Sequence, residues 1–345
     1  MRLSRRARRE WRIFLWVSLV CAVISAGFGY RVAPEGLPQL RSALSGVLTS
    51  LVVATPIFLF QLKGERAVGL RRLRRLPLAL YLAIKVLFYF VVIVGGLTLA
   101  RYWFWTDVPD AFFAIDAVFR RSIVFAIIMS VIGSVASEMS GLLGFATLKN
   151  LLTGRYVQPQ REQRAFLLID MKDSTGVAER LGPVRFHELL NDFFRDVAEA
   201  ALECEAEIHK YVGDEAILTW RGGAALADGD CLRCPFLAQE LIERRRETYL
   251  RRYDAVPQFR AAGHYGEIVA GEIGDVRREI AYVGDTLNVA TRLLDAAKAL
   301  GHDVLVSDDL LKQAALPAGL AADALPTLSM RGRTAPLAIA ALRPA

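Results

Sequence analysis

The chain has 345 residues, room for about two domains, with 54% of them apolar and a formal net charge of +7. Four cysteines, Cys21, Cys204, Cys231 and Cys234, exclude a disulfide framework, and Cys231-Leu-Arg-Cys234 lacks the second ligand pair of a zinc site, which leaves a reduced pair near a loop. The excess arginine gathers beside apolar runs, the pattern of membrane topology and not of a nucleic-acid groove, so no nucleic-acid partner is expected.

Residues 1–145 read as an all-α membrane domain of four transmembrane helices. The apolar stretches Ile13–Tyr30, Ala43–Leu62, Leu76–Ala100 and Ser122–Phe145 approach or exceed the roughly 18–20 residues that cross a bilayer. The first is too long for a signal peptide and no small-residue cleavage site follows it, so it reads as a retained span. Basic residues set the orientation. Arg2, Arg5, Arg6, Arg8, Arg9 and Arg12 precede the first span, and Lys63, Arg66, Arg71, Arg72, Arg74 and Arg75 fill the second connection. The first connection holds only Arg31 and Arg41, and the third balances Arg101, Arg120 and Arg121 with Asp107, Asp110 and Asp116. The N-terminus and the C-terminal half are therefore expected on the cytoplasmic side of the cell (inner) membrane, with Tyr102, Trp103, Phe104 and Trp105 as an outer interfacial belt.

Lys85 and Glu138 interrupt the third and fourth spans, each roughly 10–12 Å from its cytoplasmic helix end. They are candidates for an intramembrane pair that couples a membrane stimulus to the C-terminal half. The alternative is a snorkelling lysine and a neutral acid at a helix interface. The histidines, His187, His209, His264 and His302, lie outside every span, which disfavours a haem held between span histidines. Residues 146–164 form a short cytoplasmic connector in which an extension of the fourth helix is expected to end at Gly154 and Pro159. Short outer connections leave an unidentified membrane ligand or regulator as the candidate stimulus.

The C-terminal half, 165–345, reads as a soluble α/β domain. Ala165–Ile169 is a buried strand closed by Asp170, and Met171-Lys172-Asp173-Ser174-Thr175 leads into a helical pattern, so amides at this turn can cradle phosphate. Phe186–Cys204 has helical spacing, and Glu207–Val212 and Glu215–Trp220 flank Gly213-Asp214, a hairpin signal that puts Asp214 at a turn tip. Two carboxylates held at strand ends suit a two-metal site for phosphoryl chemistry. Asn288-Val-Ala-Thr-Arg292 puts an amide and a guanidinium on one helix face.

These pieces together resemble the catalytic domain of class III nucleotidyl cyclases, over nearly all of 165–340. The resemblance implies an α+β domain with a ferredoxin-like βαββαβ core, in which Ala262–Gly274 looks like a glycine-punctuated strand pair. It assigns Asp170 and Asp214, with Met171, to two divalent cations, Mg2+ or Mn2+. Lys210 matches the purine-reading lysine of adenylate cyclases, Asn288 the ribose-positioning asparagine and Arg292 the transition-state arginine. Ser174 and Thr175 fall on the substrate side of the phosphate turn, and Arg331 matches a contact to the terminal phosphates. Ala281 departs from the pattern: many adenylate cyclases have an aspartate or threonine there that accepts from the adenine amino group. Lys210 is kept and the glutamate of guanylate cyclases is absent, so ATP is the expected substrate and cyclic AMP with pyrophosphate the products. One domain carries all the matched residues, so a homodimer with shared sites is implied. The alternatives are a guanylate cyclase and a catalytically silent membrane receptor. A diguanylate cyclase, suggested by Val212-Gly-Asp-Glu-Ala216, lacks the asparagine–arginine helix.

Overall fold

The computed structural model describes residues 5–31, 39–62, 76–104, 117–276, 278–329 and 336–345. The chain divides into two compact units, Met1–Leu143 and Gly144–Ala345.

The described part of the first unit consists of the helices α1 (Arg5–Arg31), α2 (Gln39–Leu62), α3 (Leu78–Phe104) and α4 (Ala117–Leu143). Val53 and Ile57 of α2 pack with Tyr89 and Ile93 of α3, and Phe28 of α1 stacks on Phe125 of α4 at 4.6 Å. Large apolar side chains also point outward on all four helices, among them Leu15, Leu44, Leu87, Val91 and Val135. Among the described residues two windows are long and apolar enough to cross a bilayer, Phe14–Arg31 and Gln39–Ile57, and Ala83–Leu99 is a shorter apolar stretch. Four spans were expected; by this measure two helices qualify. Lys85 is 2% exposed, its ammonium 5.4 Å from the Tyr81 ring. The side chains of Glu138, Tyr102, Trp103 and Phe104, together with Arg2, Trp105 and the connections at 63–75 and 105–116, lie outside the described residues.

In the second unit Gly144 takes φ +81 and separates α4 from α5 (Phe145–Leu152), which is therefore a helix of its own and not an extension of the fourth. The elements that follow are β1 (Gln160–Met171), α6 (Ser174–Leu181), α7 (Pro183–Glu203), β2 (Glu207–Val212), β3 (Glu215–Arg221), α8 (Ala224–Ala227), α9 (Asp230–Arg244) and α10 (Arg246–Tyr253). Then come β4 (Phe259–Ile273), β5 (Glu279–Val283), α11 (Asp285–Leu300), β6 (Val304–Ser307), α12 (Asp308–Leu311), β7 (Leu320–Leu328) and β8 (Leu337–Pro344). The strands make one sheet in the order β2-β3-β1-β4-β6-β8-β7, with β5 paired to β4. The portion β2-β3-β1-β4 is antiparallel throughout, the ferredoxin-like arrangement of a βαββαβ unit. β6 joins parallel to β4 and makes the sheet mixed.

Alternation along β1 sends Ala165, Leu167, Ile169 and Met171 into a core with α7 and α9, and Phe166 and Leu168 into a core with α11. A strand buried on both faces explains the unbroken apolar run that precedes Asp170. Two expectations are corrected here. Residues 262–274 do not form a strand pair: Phe259–Ile273 is one 15-residue strand. Its glycines are sites of close approach, not turns. A Cβ at Gly266 would stand 2.7 Å from Thr286 Oγ1, and one at Gly271 would stand 3.3 Å from Pro159. Cys231 and Cys234 sit in the first turns of α9 and are buried in the core, not near a loop. A three-residue spacing puts both on one helix face, and the Cys234 thiol shares a hydrogen bond with Cys204.

Candidate active site

Asp170 leaves the buried run of β1 at the end of the sheet, directly opposite Glu215 of β3 and Arg260 of β4. The β2–β3 hairpin turns at Gly213-Asp214, with Val212 paired to Glu215. Gly213 has φ +61 and Asp214 has no positive φ, the pattern of a type II′ turn. The turn brings Asp214 into side-chain hydrogen-bond contact with Asp170.

Burial, then the charge and hydrogen bond of Asp214, pushes the Asp170 carboxyl up to about 6, against the pull of Lys298 and Arg260. Burial, then the charges of Asp170, Asp214 and Asp295, pushes Glu215 up to about 7. Carboxyl groups crowded to this degree are the donor chemistry that suits a hard divalent metal. Among the described residues no set of three His, Cys, Asp or Glu side chains is gathered to hold a metal; a cation bound by Asp170 and Asp214 would need main-chain oxygen beside them. Met171 fits only that last role: its side chain is 3% exposed and packs in the core with α7.

Ser174 and Thr175 open α6, and Asp173 before them takes the left-handed conformation at φ 52 without a side-chain cap bond. Its carboxylate lies over Gly176, where a Cβ would stand 2.7 Å from Oδ1. The first turn of α6 thus starts beside the end of β1, with the unpaired amides of a helix start.

The remaining predicted residues lie on other elements. Asn288, exposed, and Arg292, half-buried, sit one turn apart on α11, whose Val289, Ala290 and Leu293 face the sheet. The same helix carries Asp295 and Lys298, whose charges reach Glu215 and Asp170. Lys210 is exposed on β2, where the pairing with β3 is irregular between Ile208 and Lys210. Ala281 lies on β5 opposite Gly271, and the ring of its neighbour Tyr282 meets that of His209, next to Lys210, at 4.5 Å in a tilted contact. The structure therefore joins Asp170 with Asp214, Asn288 with Arg292, and the Lys210 strand with the Ala281 strand. Arg331 lies outside the described residues.

Sequence reasoning missed Glu215, Arg260, Asp295 and Lys298. Arg260 has a buried Nε without a hydrogen-bond partner among the described residues, in register with Asp170. Only the β1–β4 register discloses this placement. Glu215 directly follows the Gly213-Asp214 turn, but its place opposite Asp170 comes from the β1–β3 register.

No protein-family model matches the chain. It is 33% identical to Adenylate cyclase 2 of Rhizobium meliloti (strain 1021) over 332 residues, which cover 94% of this chain and 89% of that protein. It is 24% identical to the adenylate cyclase of Anabaena cylindrica over 157 residues, 44% of this chain and 30% of that one. Among solved structures, a bacterial light-regulated adenylyl cyclase superposes over 62% of this chain and 63% of its own, with a TM-score of 0.51 at 16% identity, a likeness of fold.

Proposed function

The chain belongs to the class III adenylate/guanylate cyclase family, and from that premise we propose that it is a membrane-anchored adenylate cyclase, converting ATP to 3′,5′-cyclic AMP and pyrophosphate as a homodimer. The observation that carries this reading is the contact between Asp170 and Asp214, made by a strand end and a hairpin tip at one edge of the sheet. The alignment with the Rhizobium protein covers both units of the chain.

In the reaction the ribose 3′-oxygen bonds to the α-phosphorus, the bond from that phosphorus to the β-phosphate bridging oxygen breaks, and the 3′-hydroxyl proton is released. Two divalent cations, Mg2+ or Mn2+, supply charge neutralisation and acidify the hydroxyl when bound. Asp170 and Asp214, with the main-chain oxygen of Met171, would hold them. Lys210 donates to the purine ring. Asn288 orients the ribose, and Arg292 meets the charge that develops on the transferring phosphoryl group. The start of α6 at Ser174 and Thr175 presents amides to phosphate. Arg260, with its Nε unpartnered among the described residues and in register with Asp170, supports the same phosphate end, and the family resemblance gives Arg331 the terminal phosphates.

Each chain carries these groups once, so the shared-site homodimer takes the metal aspartates from one chain and Lys210, Asn288 and Arg292 from the other. The four N-terminal helices act as spans. The outward apolar side chains on all four helices support this, as do the two windows long enough to cross. The catalytic unit then lies on the cytoplasmic side, and a lipid-soluble ligand or a membrane partner is the class of stimulus.

Product identification with the purified full-length protein, ATP or GTP, and Mg2+ or Mn2+ tests the activity. Cyclic AMP from ATP is expected; cyclic GMP alone, or no product, sinks the assignment. Co-expression of Asp170→Ala with Arg292→Ala tests the shared site: each is inactive alone, and the mixture regains activity.

A further inference from the structure

We propose that Tyr282 and His209 are positioning residues that set the purine end of the site, holding the strand that carries Lys210 at a fixed distance from the strand that carries Ala281. The inference rests on the reading of Lys210 as the purine-contacting residue and deepens it.

β2 and β5 are not hydrogen-bonded neighbours. β2 ends the path of the sheet, and β5 pairs with β4. No backbone ladder fixes their separation, so side chains must. The ring of Tyr282 spans the gap and meets the imidazole of His209 at a centroid distance of 4.5 Å and an interplanar angle of 39°.

Tyr282 is itself immobilised. Its ring lies edge-on to Phe166 of β1 at 5.6 Å, and the Arg164 guanidinium stands 4.8 Å from its centroid. Arg164 is fully buried and donates to Glu162 at 2.9 Å, to Glu207 at 2.9 Å and to the Tyr156 hydroxyl at 3.1 Å. Glu207 begins β2, so one arginine ties down the start of the strand that Tyr282 holds at His209.

His209 is the extra residue at the irregularity between Ile208 and Lys210. A bulge on an edge strand releases its residue from the ladder and re-aims the neighbouring side chain. The direction of Lys210 therefore depends on where His209 rests, and His209 rests on Tyr282. Burial and then the adjoining Lys210 charge push the imidazole down to about 4, so near neutral pH the ring stacks uncharged.

On the opposite wall Ala281 precedes Tyr282 and offers only a methyl group. It faces Gly271, against which Pro159 packs. With no side-chain acceptor at 281, discrimination of one purine from another falls to the spacing and direction of what remains, which the Tyr282–His209 stack sets.

The test uses the full-length protein carrying Tyr282→Leu, Tyr282→Phe, His209→Ala or Lys210→Ala. KM and kcat are measured for ATP and GTP, together with a thermal midpoint. An aromatic pair of this kind bears on about a tenfold effect. The expected result for Tyr282→Leu and His209→Ala is a KM for ATP raised about tenfold and a narrowed preference for ATP over GTP, with kcat at saturating ATP changed much less. Tyr282→Phe, which keeps the ring, restores most of both. An unchanged KM and preference in His209→Ala overturns the proposal, whatever Tyr282→Leu does to folding. If Lys210→Ala itself leaves KM and preference as in the parent protein, the purine reading fails and the positioning role fails with it. If Lys210→Ala shows both effects and His209→Ala neither, only the positioning role is lost.

Discussion

Val91 on α3 and Val184 on α7 are both exposed apolar residues, 61% and 74% accessible, yet they belong to surfaces of opposite kinds. Around Val91 the outward face continues with Leu87 and Phe90. Val184 stands at the first turn of an amphipathic helix whose Leu189, Phe193 and Val197 are buried beneath it. In the sheet unit the buried Arg164 is enclosed by Glu162, Glu207 and the Tyr156 hydroxyl. Two units of one chain thus distribute apolar surface as if for two solvents. The sheet unit buries much of it in cores on both faces of the sheet; the helical unit displays it on all four described helices, as a surface facing lipid would.

The sharpest break between the units is chemical. On the proposed reading Asp170→Asn or Asp214→Asn is expected to lower cyclic nucleotide production by about a thousandfold or more, since charge that would hold the cations is lost. The thermal midpoint should be unchanged or raised, because the substitution relieves the crowding of carboxyl groups. A mutant with near-parental turnover would remove the metal role.

Next in size is the buried arginine. Arg164→Met removes the buried member of a network in which Glu162 keeps Arg155 and the Tyr156 hydroxyl and Glu207 keeps Arg221, and breaking a buried pair costs roughly 3–5 kcal/mol. Denaturant unfolding of the full chain should show a loss of that order in the sheet unit; a change below about 1 kcal/mol, the scale of an exposed ion pair, would deny that the network is structural.

Arginine placed at Val91 and at Val184 compares the two surfaces directly. In a span centre the substitution costs about 2.5–3.5 kcal/mol of insertion, while on a water-facing helix it stays within about 0.5 kcal/mol. Val91→Arg should therefore deplete the membrane-inserted fraction and Val184→Arg should not. Equal insertion of both variants would contradict the lipid-facing assignment.

The smallest expected effect is the pH dependence of the carboxyl cluster. Asp170 and Glu215 are raised to about 6 and about 7, so the fold favours their protonated forms. Stability from these groups is present at low pH and declines as pH rises from about 4 to about 7. Cation affinity runs the other way, because binding displaces the same protons. Titration with Mn2+ should show affinity roughly fivefold weaker at pH 5.5 than at pH 7.5, and added cation should restore the midpoint lost at the higher pH. Affinity independent of pH would place the cation elsewhere.

Sequence alone determined the local elements of this protein. The apolar run before Asp170, the Gly213-Asp214 turn and the helical i, i+4 spacing of Asn288 and Arg292 all depend on neighbours a few residues away, and all stand in the structure as read. Tertiary structure decided what those residues meet. The register of β1 between β3 and β4 put Glu215 and Arg260 on either side of Asp170, and α11 brought Asp295 and Lys298 to the same edge. Residues 262–274 read as a glycine-punctuated strand pair, whereas the structure packs Thr286 and Pro159 against Gly266 and Gly271 within one continuous strand. The His209–Tyr282 stack was invisible for the same reason. Turn and periodicity signals are short-range, whereas register, face and the crossing of one strand's ring to another are fixed only when distant segments pair.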